Sequence, residues 1–173
     1  GNSTKRILAK SDYEVIASNR SDTDLFNLDQ VKNKIIDSKP DIIVNAAAKV
    51  GGILANNTYR SEFLIENLKI NMNILEACIP YPDIKIINLG SSCIYPLNAD
   101  NPIKESSIME GELEHTNSPY AMAKLSAIEL GNSLSIQYGH QVVNLMPTNL
   151  YGPNDNFDEN NSHVIPGLIS RMH

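Results

Sequence analysis

Short apolar runs rich in β-branched residues alternate along this chain with longer helical patterns. The runs at residues 41–45, 84–89 and 141–146 have the length of strands, and little polar alternation interrupts them. Between and after them, apolar residues recur at three- and four-residue steps, which predicts helices at residues 29–38, 60–79, 119–138 and 163–172. The βαβαβ order predicts an α/β fold with a Rossmann-like, doubly wound parallel sheet.

Tyr120 and Lys124 stand four residues apart at the start of a predicted helix, so their side chains should share one face. Ser118 is a candidate N-cap, and Pro119 suits the first turn. A phenol with a pKa of ~10 transfers protons poorly at neutral pH, and a neighbouring ammonium is expected to lower that pKa. The pair therefore predicts acid–base chemistry, although the same spacing is common on solvated helix faces.

The sequence GSSCIYP at residues 90–96 directly follows a predicted strand. In a parallel sheet, ligands bind beyond the carboxyl ends of the strands. Ser91 is therefore placed to hydrogen-bond a substrate carbonyl oxygen. Cys93 is either a second reactive group of this segment or a buried apolar residue, whereas Cys78, late in a helix with no polar neighbours of note, is expected to pack in the core.

Composition excludes several classes of protein. The net charge is -6, and Lys and Arg form no run, so nucleic acid is not an expected partner. No apolar stretch reaches the ~20 residues that cross a bilayer, so a cytoplasmic protein without a membrane partner is expected. The histidines and cysteines lack metal-ligand spacing, which predicts no metal site.

A further strand is expected at residues 13–17, followed by Asn19 and Arg20. After such a strand, NAD enzymes usually carry an acidic residue for the ribose hydroxyl, and an Arg accommodates the 2′-phosphate of NADP. Arg20 therefore favours NADP, while Asp22 and Asp24 keep NAD open.

The Ser, Tyr and Lys together resemble the triad of the extended short-chain dehydrogenase/reductase family. Four segments narrow this resemblance to the GDP-L-fucose synthase family. They are AAAKVGGI at residues 46–53, GSSCIYP at 90–96, PTNLYGP at 147–153 and NSHV at 161–164. Their order and spacing are similar to those of that family.

The resemblance implies a reaction. That family epimerises GDP-4-keto-6-deoxy-mannose at both carbons flanking the keto group and then reduces the keto group with NADPH, which yields GDP-L-fucose. Cys93 and His163 would be the acid and base of the epimerisation, and their unperturbed pKa values of ~8.5 and ~6.5 suit proton transfer. His163 follows Ser162, a candidate N-cap, so a helix dipole would help to keep its ring neutral.

The resemblance also implies the remaining site residues and a homodimer. The implied catalytic residues are Ser91, Cys93, Tyr120, Lys124 and His163. The implied cofactor-binding residues are Arg20, Ala47, Ala48, Leu89, Gly90, Ser91, Ser92, Tyr120, Lys124, Pro147, Thr148, Asn149, Leu150 and His163. The implied substrate-binding residues are Ser91, Cys93, Asn149 and Arg171.

Members of that family open with a strand and a glycine-rich turn that seats the cofactor pyrophosphate, and they continue into a smaller C-terminal substrate domain. Neither is present in the 173 residues, so a truncated sheet is expected. Residues 1–162 would form a partial NADP-binding Rossmann domain, and residues 163–173 would begin the substrate-binding region. The helix expected at the start, from residue 1 to about residue 8, would be the family's first helix.

Two other hypotheses remain open. One is a related nucleotide-sugar dehydratase or epimerase, although dehydratases of this type usually carry an acidic pair where Ser92, Cys93 and Ile94 stand. The other is a non-catalytic fragment that acts as a nucleotide-binding or interaction module and pairs its exposed strands with another copy. Product analysis separates the enzymes, and NADPH binding separates both from the module.

Overall fold

The computed structural model describes residues 1–158 and 162–172. Its helices are α1 (Asn2–Leu8), α2 (Leu28–Ser38), α3 (Ile53–Thr58), α4 (Arg60–Cys78), α5 (Ser118–Tyr138) and α6 (Val164–Met172). Its strands are β1 (Ile42–Asn45), β2 (Lys85–Leu89) and β3 (Val142–Leu145). Single 3₁₀ turns lie at Ser92–Ile94 and Glu105–Ser107. Within these described ranges, no helix combines the length and apolar character needed to cross a bilayer.

The three strands form a parallel sheet in the order β1-β2-β3. Val44 pairs with Ile87, and Ile87 pairs with Val143, so the strands run level with one another. This arrangement confirms the predicted α/β fold and the strands predicted at residues 41–45, 84–89 and 141–146. Because parallel strands end at the same edge, the segments that follow β1, β2 and β3 meet there.

The core lies between one face of the sheet and helices α2, α4 and α5. Ile43, Ile86 and Val142 occupy this face, one from each strand. The fully buried residues include Leu75 and Ala77 of α4, which face them in the same core cluster. The opposite face carries Val44, Val143 and Leu145, which are 37%, 52% and 46% exposed. Among the described residues, helices therefore cover one face of the sheet much better than the other.

The prediction of a strand at residues 13–17 is wrong. These residues are irregular and mostly exposed, and no backbone hydrogen bond joins them to another described segment. Strand conformation in water persists only where a neighbouring strand takes up the backbone hydrogen bonds. Without an adjacent strand, the β propensity of residues 13–17 was not sufficient to form a strand.

Two helix starts differ from expectation, and one helix was not predicted. Asn117, not Ser118, is the residue preceding α5, and Ser118 is the first helical residue. α6 begins at Val164, and the carbonyl of His163 accepts the N–H of Gly167, so His163 rather than Ser162 occupies the capping position. α3 was not predicted, because its six residues are too short to show a helical period.

Candidate functional site

The candidate site lies at the carboxyl edge of the sheet. The segments that follow the strands are residues 46–52 after β1, residues 90–95 after β2 and residues 146–150 after β3. The N-terminal part of α5 lies against the second of these, at the 3₁₀ turn. Most of the residues singled out from the sequence belong to these segments, so the fold brings them to one edge.

Lys124 is the most buried charged residue of the site, at 3% exposure. Its Nζ donates to the carbonyl oxygen of Leu89 at 2.7 Å. α5 approaches closely because its inner face consists largely of small residues, and a Cβ on Gly131 would lie 2.8 Å from Val142. Burial lowers the pKa of the Lys124 ammonium, and the nearby Cys93 partly opposes this. Lys124 therefore fixes the end of β2 directly.

Tyr120 lies one helical turn before Lys124, and the Lys124 Nζ is 5.6 Å from the centre of the phenol ring. The edge of Phe63 packs against the same ring, with centroids 6.5 Å apart. Burial, with a smaller effect from Cys93, raises the pKa of Tyr120 to about 12. The expectation of a lowered pKa is wrong, because burial desolvates the phenolate and the Lys124 Nζ is directed to the Leu89 carbonyl. Tyr120 is therefore a protonated phenol at neutral pH.

Ser91 and Cys93 occupy the turn after β2. The Oγ of Ser91 accepts the backbone N–H of Cys93 at 3.4 Å, so the Ser91 hydroxyl proton can point elsewhere. Burial raises the pKa of the Cys93 thiol, while Ser91, the local backbone and Lys124 lower it in part. Ser92 is half-buried in the same turn. This turn presents a hydroxyl and a protonated thiol beside the Tyr–Lys pair.

Gly90 allows the ends of β2 and β3 to come together. Its N–H donates to the carbonyl of Leu145 at 2.7 Å. A Cβ at this position would lie 2.4 Å from the sulfur of Met146 and 3.1 Å from that same carbonyl oxygen. A larger residue would therefore push the two strand ends apart.

A cleft of about 440 Å³ lies beside β1. Arg20 and Asn19 line one side, and Ala46, Ala47 and Ala48 line the other. The small alanine side chains leave room for a ligand close to the backbone, and the Arg20 guanidinium suits a phosphate.

The two acidic residues near Arg20 have local partners. The carboxylate of Asp22 accepts the N–H of Asn19 at 3.1 Å, and that of Asp24 accepts the N–H of Phe26 at 2.9 Å. Both carboxylates therefore hold the turn. Asp24 lines the cleft together with Arg20, and Arg20 is the cation of this lining that suits a ligand phosphate.

α4 braces the segment after β1, a role that the sequence reasoning missed. Asn67, fully buried, accepts the N–H of Lys49 and donates to its carbonyl, and Glu66 pairs with the Lys49 ammonium. Phe63 lies beneath Gly51, where a Cβ would approach its ring to 3.0 Å. The available signal was a polar residue, Asn67, on the apolar stripe of a helix.

Arg60 was also missed. Its guanidinium donates to the carbonyl of His115 at 2.8 Å and to the hydroxyl of Ser118 at 3.1 Å. These bonds join the start of α4 to the start of α5, two residues before Tyr120. Only the tertiary contact reveals the role, since an Arg at a helix start is usually solvated.

The remaining predicted residues lie in less enclosed positions. Pro147 is half-buried, whereas Thr148, Asn149 and Leu150 are exposed after β3. His163 is exposed at the start of α6, where the carbonyl of Ser162 lies 4.0 Å from the position a Cβ of Gly52 would take. Arg171 lies exposed in the last turn of α6. Asn161, the first residue of the NSHV segment, lies outside the described residues.

Cys78 is fully buried in the core cluster, as predicted, and burial raises its pKa to about 12. In the part of the chain that the structure describes, no three His, Cys, Asp or Glu side chains are grouped to hold a metal ion.

Several known proteins are similar to this chain. A family model described as the NAD dependent epimerase/dehydratase family matches residues 1–173. A GDP-L-fucose synthase of Sinorhizobium fredii is 44% identical over 173 residues, which cover 100% of this chain and 55% of that protein. The GDP-L-fucose synthase of Escherichia coli is 44% identical over 169 residues, covering 98% and 53%. The chain thus spans about half the length of the curated relatives it matches.

A solved structure of a GDP-L-fucose synthetase from Naegleria fowleri, bound to NADP, superposes with a TM-score of 0.87 at 31% identity. The match covers 98% of this chain and 53% of that one. The predicted resemblance to GDP-L-fucose synthases is therefore confirmed at the level of sequence and fold. Since the family model covers every residue, the chain belongs to the NAD dependent epimerase/dehydratase family.

Proposed function

We propose that the full-length polypeptide is an NADPH-dependent enzyme that epimerises GDP-4-keto-6-deoxy-mannose beside its keto group and reduces that group, forming GDP-L-fucose. The observation that carries the proposal is the grouping of four side chains at one strand end. Tyr120 and Lys124 on α5 lie next to the turn that holds Ser91 and Cys93, and charge on Cys93 influences the pKa of both α5 residues. A plain dehydrogenase has no use for the thiol.

The residues present fit NADP. The cleft beside β1 has small side chains where a dinucleotide would approach the backbone and has Arg20 where a 2′-phosphate would need a cation. Ala47 and Ala48 would lie beside its adenosine half, and the segment from Leu89 to Ser92 would lie beside its nicotinamide half. The exposed residues Thr148, Asn149 and Leu150, with Pro147, would border the same half. When bound, NADPH supplies the hydride for the reduction.

Tyr120 is proposed to donate the proton that the keto oxygen receives during reduction. Its raised pKa keeps the proton on the phenol at neutral pH, which a donor requires. Ser91 would orient the same oxygen through its hydroxyl proton. Lys124, anchored on the Leu89 carbonyl, places a positive charge beside the phenol and stabilises the phenolate that remains after the transfer.

Cys93 and His163 are proposed to move the protons on the two carbons flanking the keto group. Hydrogens next to a ketone are acidic enough for side-chain acids and bases to remove and return them. The Cys93 thiol is half-buried in the turn beside Ser91, where burial raises its pKa, and His163 is exposed at the start of α6. Arg171 and Asn149 would contact the substrate. A homodimer and a cytoplasmic location remain predictions.

The test is to separate the two half-reactions in the full-length polypeptide. Without NADPH, the keto sugar in deuterated water should gain deuterium at both flanking carbons, and with NADPH it should be reduced. Cys93→Ser should slow deuterium uptake by about a hundredfold or more while Tyr120→Phe slows reduction by about a hundredfold or more. Cys78→Ser, a thiol-to-hydroxyl change in the core, is the matched control and should leave both reactions in place.

Each alternative has its own outcome. Conversion of GDP-mannose to the keto sugar would replace the proposal with a dehydratase. NADPH binding without deuterium uptake or reduction would indicate a nucleotide-binding module. Equal loss of both reactions in Cys93→Ser and Cys78→Ser would contradict the role assigned to Cys93.

A further inference from the structure

Three asparagines form a row across the sheet. Asn45 of β1 pairs with Asn88 of β2, and Asn88 pairs with Asn144 of β3. An Nδ2 hydrogen of Asn45 is donated to the Oδ1 of Asn88 at 3.1 Å, and the Nδ2 of Asn88 donates to the Oδ1 of Asn144 at 3.2 Å. The Nδ2 of Asn45 also donates to the Oδ1 of Asn71, on α4, at 2.9 Å. We call these four residues the amide row.

Three residues of the amide row are buried, and Asn144 is half-buried. Asn45, Asn71 and Asn88 are 4%, 2% and 1% exposed. None of the four contributes an atom to the buried polar side-chain atoms that lack a hydrogen-bond partner among the described residues. Both Nδ2 hydrogens of Asn45 have acceptors, and its Oδ1 accepts the backbone N–H of Ala47 at 3.2 Å. Flipping the side-chain amide of Asn45 or of Asn88 would therefore break a hydrogen bond of the row.

The amide row lies one layer beneath the candidate site. Asn45 binds the N–H of Ala47, which lines the cleft with Arg20. Asn88 precedes Leu89, whose carbonyl accepts the Lys124 ammonium. Asn144 precedes Leu145, whose carbonyl accepts the N–H of Gly90. Each of the three strand asparagines thus stands one or two residues before a group that shapes the site.

Stability alone does not require amides at these positions. In the layer below, Ile43, Ile86 and Val142 pair across the same three strands and face the same helices. Replacing a complete buried polar set by apolar residues is often neutral or stabilising, because burying amides costs desolvation. What amides add is directional hydrogen bonding, which favours one alignment of the strands. A two-residue slip of β2 against β1 would set Asn88 against Ile43 and leave buried polar atoms unpaired.

We propose that the amide row is a positioning device that holds the three strand ends level, and that it thereby sets the site segments after β1 and β2. The identity of the bound ligand rests on the proposed function, but the positioning role does not. The row acts through Ala47, Leu89 and Gly90 and touches no substrate itself.

The test compares two variants of the full-length polypeptide. Asn88→Val breaks the row in the middle and leaves polar atoms of Asn45 and Asn144 without partners, so its stability should fall. The all-apolar variant, with Asn45→Val, Asn71→Leu, Asn88→Val and Asn144→Val, leaves no side-chain amide unpaired. The acceptor that it removes from the backbone is that of the Ala47 N–H, which lies at the cleft, so the variant should regain most of the wild-type stability in urea. Positioning should nevertheless stay lost in this second variant.

Amide hydrogen exchange measures the positioning without any ligand. The Gly90 N–H bonds to Leu145 at the carboxyl end of the β2–β3 pair, and the Ile86 N–H bonds to Gln141 at the other end. In the all-apolar variant the Gly90 amide should exchange about tenfold faster while the Ile86 amide is unchanged. The Kd for NADPH should rise about tenfold, the factor expected for roughly one displaced hydrogen-bonding group.

The outcomes are decisive in each direction. Wild-type exchange at Gly90 and wild-type NADPH affinity in the all-apolar variant would overturn the positioning role. An all-apolar variant less stable than Asn88→Val would show instead that the row is a stability element, which also overturns it. If the wild-type polypeptide binds no NADPH, the proposed function fails, and the comparison of Gly90 with Ile86 still decides the role of the row.

Discussion

Gly90 offers the sharpest quantitative test of the site geometry. The Cβ introduced by Gly90→Ala would lie 2.4 Å from the Met146 sulfur and 3.1 Å from the Leu145 carbonyl oxygen. The sulfur is on a flexible side chain and can move. The carbonyl oxygen cannot move as easily, because it is the acceptor of the Gly90 N–H.

We expect Gly90→Ala to lower the free energy of unfolding by about 1–3 kcal/mol, the usual cost of forcing extra volume into a packed site. Urea unfolding measures this as a shift of the midpoint at constant slope. Gly52→Ala is the matched control, because its Cβ would meet nothing closer than 4.0 Å. It should change the free energy by less than about 0.5 kcal/mol.

A double-mutant cycle with Met146→Ala isolates the clash with the side chain. Removing the sulfur should make Gly90→Ala less costly by about 1 kcal/mol, and the remainder reports the contact with the backbone carbonyl. Equal midpoints for Gly90→Ala and Gly52→Ala would refute the reasoning. So would strict additivity in the cycle, since it would mean that the sulfur and the new methyl group never compete for space.

Three further predictions follow from the same contacts. Iodoacetamide should label Cys93 slowly at pH 7 and faster as the pH rises past the usual thiol pKa, while fully buried Cys78 stays unlabelled. Peptide mass mapping measures both, and labelling of Cys78 before Cys93 would contradict the prediction. Because the pKa of Tyr120 is raised to about 12, the stability that its protonated phenol contributes should be complete below pH ~10 and lost as the pH rises towards 12. Tyr120→Phe should therefore flatten the fall of the urea midpoint at alkaline pH, and an unchanged fall would argue against the shift. Arg60→Lys should lower the free energy of unfolding by about 1 kcal/mol, since an ammonium cannot make the two divergent bonds to His115 and Ser118, and an unchanged midpoint would show that these bonds contribute nothing.

Much of the fold could be predicted because its signals are local and periodic. α4 and α5 are long enough to show the helical period, and their observed bounds differ from the predicted ones by one residue at most. The three paired strands could be predicted because each is a continuous apolar run in the sequence. The segment at residues 13–17 carried a similar signal but has no strand beside it, and short α3 carried too weak a signal.

The residues of the candidate site could be predicted from the sequence, but their pKa shifts could not. Ser91, Cys93, Tyr120 and Lys124 were singled out from spacing and resemblance, and the structure brings them to one strand end. The direction of the Tyr120 pKa shift was predicted wrongly. Proximity of Lys124 is visible in the sequence, whereas the depth of burial that outweighs it is not.

Residue types and their spacing along the chain were sufficient to predict the alternation of strands and helices, the family, and the side chains able to carry acid–base chemistry. Which groups are desolvated and which distant residues meet depends instead on how the elements pack. Arg60 reaches the start of α5, Asn67 holds Lys49, and the amide row joins three strands because packing brings together residues far apart in sequence. The energies of hydrogen bonds and charges depend on those distances and on the exclusion of water, and neither is encoded in local spacing.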